Sequence, residues 1–145
     1  MKKSPRIEVQ NAQRKLRVDM NALRAFAARA LTHVLDKPAP ATSDLEQLEV
    51  VSVILVSDAR MAALHKKFMN IEGATDVITF QHGEIFISAE TAARNAREFQ
   101  TATEHEIRLY LVHGLLHLHG FDDTSALKAR IMQRVQTRLL AAAMK

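Results

Sequence analysis

The sequence predicts a mixed α/β (α+β) domain in which a small sheet of about four strands packs with about five helices, with a metal site at the C-terminal end of a buried helix. Three observations predict it. Residues 48–56 form an almost unbroken apolar run rich in β-branched side chains, residues 76–80 and 84–88 are two short strand-like runs, and the segments around them carry apolar residues at helical spacing. At 145 residues the chain has room for one domain, read over 1–145.

Each element follows from local pattern. Residues 6–11 alternate polar side chains with Ile7 and Val9, as a half-buried strand does, and from Asp19 the spacing becomes helical, with Leu23, Phe26, Ala30 and Val34 on one face. Pro38 and Pro40 break the chain before 48–56, which reads as a central strand. Ser57 can cap a helix whose Met61, Leu64 and Phe68 share a face until Gly73 stops it. The spacer Gln81-His82-Gly83 has hairpin length, which puts the sheet edge there. Ser88 opens an alanine-rich helix to about Phe99, and Thr103 with Glu106 forms a capping-box pattern before the most apolar segment. Ile107, Leu109, Leu111, Val112, Leu115, Leu116 and Leu118 surround that helix, so it should be buried on most sides until Gly120 ends it. Thr124 or Ser125 starts a last helix, with Leu127, Ile131, Val135 and Leu139 as its buried stripe.

Composition excludes several classes. No cysteine is present, so disulfides, thiolate metal sites and cysteine nucleophiles are ruled out, and any metal rests on His, Asp or Glu. No apolar run reaches the roughly 20 residues of a membrane span, and charged residues follow Met1, which reads as a cytoplasmic protein. The net charge of +4 is concentrated, because residues 1–29 carry eight Lys or Arg against Glu8 and Asp19. Arg14, Lys15 and Arg17 are the main candidates there for phosphate contacts.

The chemistry concentrates in His113-Gly114-Leu115-Leu116-His117-Leu118-His119-Gly120-Phe121-Asp122-Asp123. Histidines four apart on a helix lie about 40° apart around the axis and about 6 Å along it, so His113 and His117 can face one point. Gly120 permits the turn that brings Asp122 or Asp123 back to that point. His119, about 240° around the helix from His113, should face elsewhere. An accidental spacing, with both histidines hydrogen-bonded in the core, is the alternative explanation. The HExxH protease pattern is excluded, because Gly114 stands where that motif needs glutamate.

This segment resembles the HGxLHLxGxDH signature of the YbeY family of metal-dependent endoribonucleases, which act on ribosomal RNA. Residues 75–80, TDVITF, and 83–88, GEIFIS, resemble that family's TDVLSF and GDIxIS blocks in order and spacing. The resemblance implies one zinc ion held by His113, His117 and Asp123, and a single-strand-specific nuclease in 16S rRNA 3'-end maturation and ribosome quality control. It also implies two departures: Asp123 stands where the family has a third histidine, and Met69 where it has an arginine. Aspartate is a competent zinc ligand, though its charge makes a bound water less acidic than three neutral imidazoles would. Methionine cannot hold a phosphate as arginine does, and Lys66 and Lys67 are the nearest point charges.

The catalytic base is not assigned. Asp122 can orient a ligand histidine or serve the turn, and a bound metal can itself activate water. Arg130, Arg134 and Arg138 recur every four residues, which suits either phosphates or stems lying on the core. With one Tyr and six Phe, mostly in apolar patterns, no base-stacking platform is evident. The rival to an enzyme is a non-catalytic ribosome- or RNA-binding module with a structural metal, and a metallohydrolase of another substrate is a third reading.

Overall fold

The apolar run 48–56 does become a central strand. In the computed structural model, which describes residues 4–145, β2 (Val50–Val56) has β1 (Arg6–Asn11) on one side and β4 (Glu84–Ser88) on the other, with β3 (Val77–Phe80) beyond β4 at the sheet edge. Lys2 and Lys3, part of the basic N-terminal stretch, lie outside the described residues. β1, β2 and β4 are parallel, Val53 pairing with Val9 and Ile85, and β3 is antiparallel to β4 through the hairpin at 81–83. Alternation along β2 gives each sheet face its own core. Val51, Val53 and Leu55 are fully buried with Val9, Ile85 and Ile87 against α1 (Met20–Leu35), α3 (Ala89–Phe99), α4 (Thr103–Leu118) and α5 (Ala126–Ala143). On the opposite face, Ile54, Ile78 and Phe86 meet Met61 and Leu64 of α2 (Asp58–Met69).

Polar side chains fix where the helices start. Asp19, Ser57, Ser88 and Ser125 each accept a hydrogen bond from a backbone N–H in the first turn of α1, α2, α3 and α5. Asp58 then ties α2 to α3, accepting from the hydroxyls of Ser88 (2.6 Å) and Thr91 (2.7 Å) and from the Arg94 guanidinium. Burial alone would raise the Asp58 carboxyl pKa; these hydrogen bonds outweigh it and hold the group below its usual range. α4 departs from the expected capping box. Thr103 is its first helical residue, and the Thr101 hydroxyl donates to buried Glu106 instead (2.8 Å). Glu106 also accepts from Tyr110, which accepts from Asn95 of α3 at 2.7 Å, and burial pushes the Tyr110 phenol up to about 12.

Two expected apolar faces are corrected. Phe68 is 55% exposed: in the last turn of α2 it packs edge-on against Phe80 of edge strand β3, and the helix ends at left-handed Asn70, short of Gly73. On α5 the buried residues are Met132, Leu139, Leu140 and Ala143, while Leu127 and Ile131 are 60% and 42% exposed. A four-residue repeat drifts about 40° per step on a helix of 3.6 residues per turn, so a stripe started at Leu139 leaves the core within three steps.

The approach of α4 to the sheet depends on Gly114. A Cβ built there would lie 2.8 Å from Cγ2 and 2.9 Å from Cδ1 of Ile85, a fully buried β4 side chain. Neither partner has room to move. Gly114→Ala should therefore cost about 1–3 kcal/mol through overpacking, despite alanine's better helix propensity. Urea unfolding checks this, and a variant as stable as wild type would show that α4 is not held at this distance.

Candidate metal centre

α4 carries His113 and His117 on the side that looks over β3, while Gly114 between them presses on β4. The rings meet nearly edge to face, centroids 4.5 Å apart, with the two Nε2 atoms separated by 3.0 Å. Gly120, at φ +101, turns the chain so closely past Ala41 that a Cβ would lie 3.1 Å from that residue's carbonyl oxygen. The turn returns Asp123, and one ligand atom from each of His113, His117 and Asp123 lies within 4.8 Å of the others. The group borders an open cleft of about 510 Å³ whose walls include Thr42, Met69, Thr79 and Gln81.

The polar surroundings prepare these nitrogens to hold a cation. Gln136 of α5 accepts a hydrogen bond from His113 Nδ1 at 2.8 Å, which fixes the tautomer and leaves the Nε2 lone pair facing the group. Burial pushes the His117 imidazole pKa down, and neighbouring His113 adds to this; Asp123, Asp122 and a hydrogen bond to the Phe121 backbone push the other way, with a net lowering. Neutral imidazoles are what a metal requires. The two Nε2 atoms lie within hydrogen-bond distance of each other at 3.0 Å, and so converge on one point. Two nitrogens on a tetrahedral zinc ion would lie about 3.3 Å apart. The donor set of two imidazoles and a carboxylate fits such an ion and leaves a fourth position free.

The other sequence candidates fall in different places. His119 is fully buried and faces away, donating from Nε2 to the Lys37 carbonyl at 2.6 Å and accepting at Nδ1 from Ser43 at 2.8 Å. It fastens the 37–43 segment that forms one wall of the cleft. Asp122 serves the turn: its carboxylate accepts from the Thr124 backbone (3.1 Å) and hydroxyl (2.8 Å), and those bonds hold its pKa below the usual range. The residue that orients His113 is Gln136, which the sequence reading missed. Its signal was a polar side chain on the buried face of α5, one turn from both Met132 and Leu140.

The basic candidates are spread out. Arg14, Lys15 and Arg17 are exposed on the loop before α1, which Gln13 braces through bonds to Asn11 and Leu16. That loop adjoins Glu104, Ile107 and Arg108 at the start of α4, whereas the histidines occupy its last turns, so the two regions are roughly 15 Å apart along the helix. Lys66 pairs with Glu72 at 2.7 Å and Lys67 lies over the Phe68 ring, and neither lines the metal-side cleft, where Met69 does. Arg130, Arg134 and Arg138 are exposed along the outer side of α5 without an ion-pair partner among the described residues.

A family model described as endoribonuclease YbeY matches residues 8–144. The chain belongs to the YbeY family. Among curated YbeY endoribonucleases, that of Cutibacterium acnes is 32% identical over 124 residues, covering 70% of this chain and 80% of its own length. That of Anaeromyxobacter sp. strain Fw109-5 is 38% identical over 102 residues, spanning 63% of this chain and about half (53%) of its own length. The solution structure of TM1509 from Thermotoga maritima shares the fold, with a TM-score of 0.67 and 25% identity over 94% of this YbeY chain and 88% of that one.

The geometry predicts how metal binding responds to substitution. His113→Ala and His117→Ala should each abolish stoichiometric metal, while Gln136→Leu should keep one ion at about 10- to 100-fold lower affinity. Native mass spectrometry with a competing chelator reads both effects. Tight retention of one metal by both histidine variants would place the ion elsewhere.

Proposed function

We propose that this chain is a zinc-dependent endoribonuclease specific for single-stranded RNA, acting in 16S rRNA 3'-end maturation and ribosome quality control in the cytoplasm, with one metallo-endoribonuclease domain over 1–145. The observation that carries this reading is the convergence of His113, His117 and Asp123 beside an open cleft in a chain that the YbeY model matches almost throughout. Zinc, when bound, supplies a Lewis acid for a phosphoryl oxygen and acidifies water. His113 and His117 hold it as neutral donors, Gln136 fixes the His113 ring, and Asp123 adds a negative charge. Gly114 stands where the HExxH motif carries its glutamate, so that motif's general base is absent. The cleft's walls carry hydroxyl and amide groups at Thr42, Thr79 and Gln81 and carboxylates at Asp44 and Asp122, so a phosphate entering it depends on a bound cation for its attraction. No helix among the described residues is long and apolar enough to cross a membrane.

One observation favours the non-catalytic RNA-binding reading: Met69 lines the cleft where the family's arginine would offer two donors to phosphate. The two readings diverge under mutation. Asp123→His should retain metal and raise cleavage of single-stranded RNA, because a neutral third ligand restores positive charge at the ion. Met69→Arg should raise it further, and chelation should abolish it in all three proteins. A gel assay on end-labelled single- and double-stranded RNA checks this. Metal-loaded wild type and both variants that bind RNA without cutting it would establish the structural-metal module instead.

A further inference from the structure

The sheet face turned away from the metal group carries a second cleft, of about 480 Å³, between α2 and the β3–β4 hairpin. Its wall is aromatic. Phe80 meets Phe68 edge-on at 5.2 Å and Phe86 edge-on at 5.9 Å, and it stacks on His82 at 5.6 Å. Phe68 nevertheless keeps more than half of its surface in solvent. A phenylalanine so placed adds little to the core, yet it presents a π-face at the mouth of a cleft.

Charge says what suits that face. Arg60 and Lys67 line the same cleft, and neither has an ion-pair partner among the described residues. The Lys67 ammonium lies 5.3 Å from the centroid of the Phe68 ring, so its flexible stem can carry the charge from ring to phosphate. Glu84 is the one carboxylate of the lining, and it is occupied by a hydrogen bond from His82 Nε2. Cations beside an exposed ring favour a ligand that is both flat and anionic along its backbone, which an apolar helix or a bare lipid tail is not. A single strand of nucleic acid has both properties.

Position connects this cleft to the metal side. β3 is the sheet edge, and successive residues along it point to opposite faces: Thr79 lines the metal-side cleft and Phe80 the aromatic one. The same division falls between adjacent Met69 and Phe68 at the end of α2. A strand leaving the histidines therefore needs to pass over only one edge strand to reach Phe68.

We propose that the Phe68–Phe80–Phe86 cleft binds an unpaired base of the RNA strand, stacked on Phe68, with Arg60 and Lys67 on the adjoining phosphates. This rests on the RNA reading above and adds a second contact point, on the far side of β3. The test is fluorescence anisotropy of the metal-loaded full chain with a short uridine oligomer and its abasic counterpart across a salt series. Phe68→Ala should weaken uridine-oligomer binding by about 5- to 150-fold, the range that follows from roughly 1–3 kcal/mol per stacked base. Phe68→Leu, which keeps an apolar side chain without the ring, should lose nearly as much. Neither should change abasic binding, salt slope or metal content, and Lys67→Gln should lower the salt slope by about 0.7. Equal uridine-oligomer affinity in wild type and both Phe68 variants overturns the proposal and leaves the cleft to a protein partner. So does an equal loss on the abasic strand, which would mark a structural effect. If wild type binds neither oligomer, the RNA reading itself fails and this proposal with it.

Discussion

Because Gly114 has no side chain, α4 can lie directly on Ile85 of β4, and the placement of the whole candidate site follows from that contact. His113 precedes the glycine and His117 follows it by three, so pressing the glycine to the sheet presents both imidazoles over the edge strand. A bulkier residue would lift the helix and separate the ligands from Thr79 and Gln81 across the cleft. The glycine also removes the position from which metalloproteases of the HExxH type draw their general base. One residue thus sets the helix position and restricts the chemistry.

Around that contact, polar residues do for orientation what the core does for position. Gln136 fixes the His113 tautomer from α5, and His119 pins the 37–43 segment to the end of α4, so the cleft's two walls are tied to the same helix. His119 is as close in sequence to His117 as any ligand, yet its two nitrogens are spent on Ser43 and Lys37. Buried polar groups of this kind need every partner, and among the described residues no buried side-chain nitrogen or oxygen lacks one.

The strands, the helix order and the convergence of His113 and His117 were readable because each rests on local information: β-branched runs, serine caps and an i, i+4 spacing. What escaped reading depends on which end of an element extends beyond its neighbours. Phe68 continues the spacing of Met61 and Leu64, but it meets the sheet at its edge strand, against Phe80, so a residue of that apolar face became the exposed ring of a second cleft. Leu127 and Ile131 failed for a geometric reason, since a strict four-residue repeat rotates off a helix face. The separation of Arg14, Lys15 and Arg17 from the histidines follows from the length of α4, which joins the two regions end to end. Gln136 sits 23 residues from the histidine it orients, and only the packing of α5 on α4 brings them together.

The central claim is that two imidazoles and a carboxylate of this chain form an open metal site. X-ray absorption at the zinc edge, on protein purified without added metal, tests it most directly. The account predicts stoichiometric zinc in a shell of two imidazole nitrogens and oxygen donors at about 2.0–2.2 Å, at least one of those oxygens exchanging with solvent. A shell with fewer than two imidazoles, or protein that holds no metal at all, would contradict it.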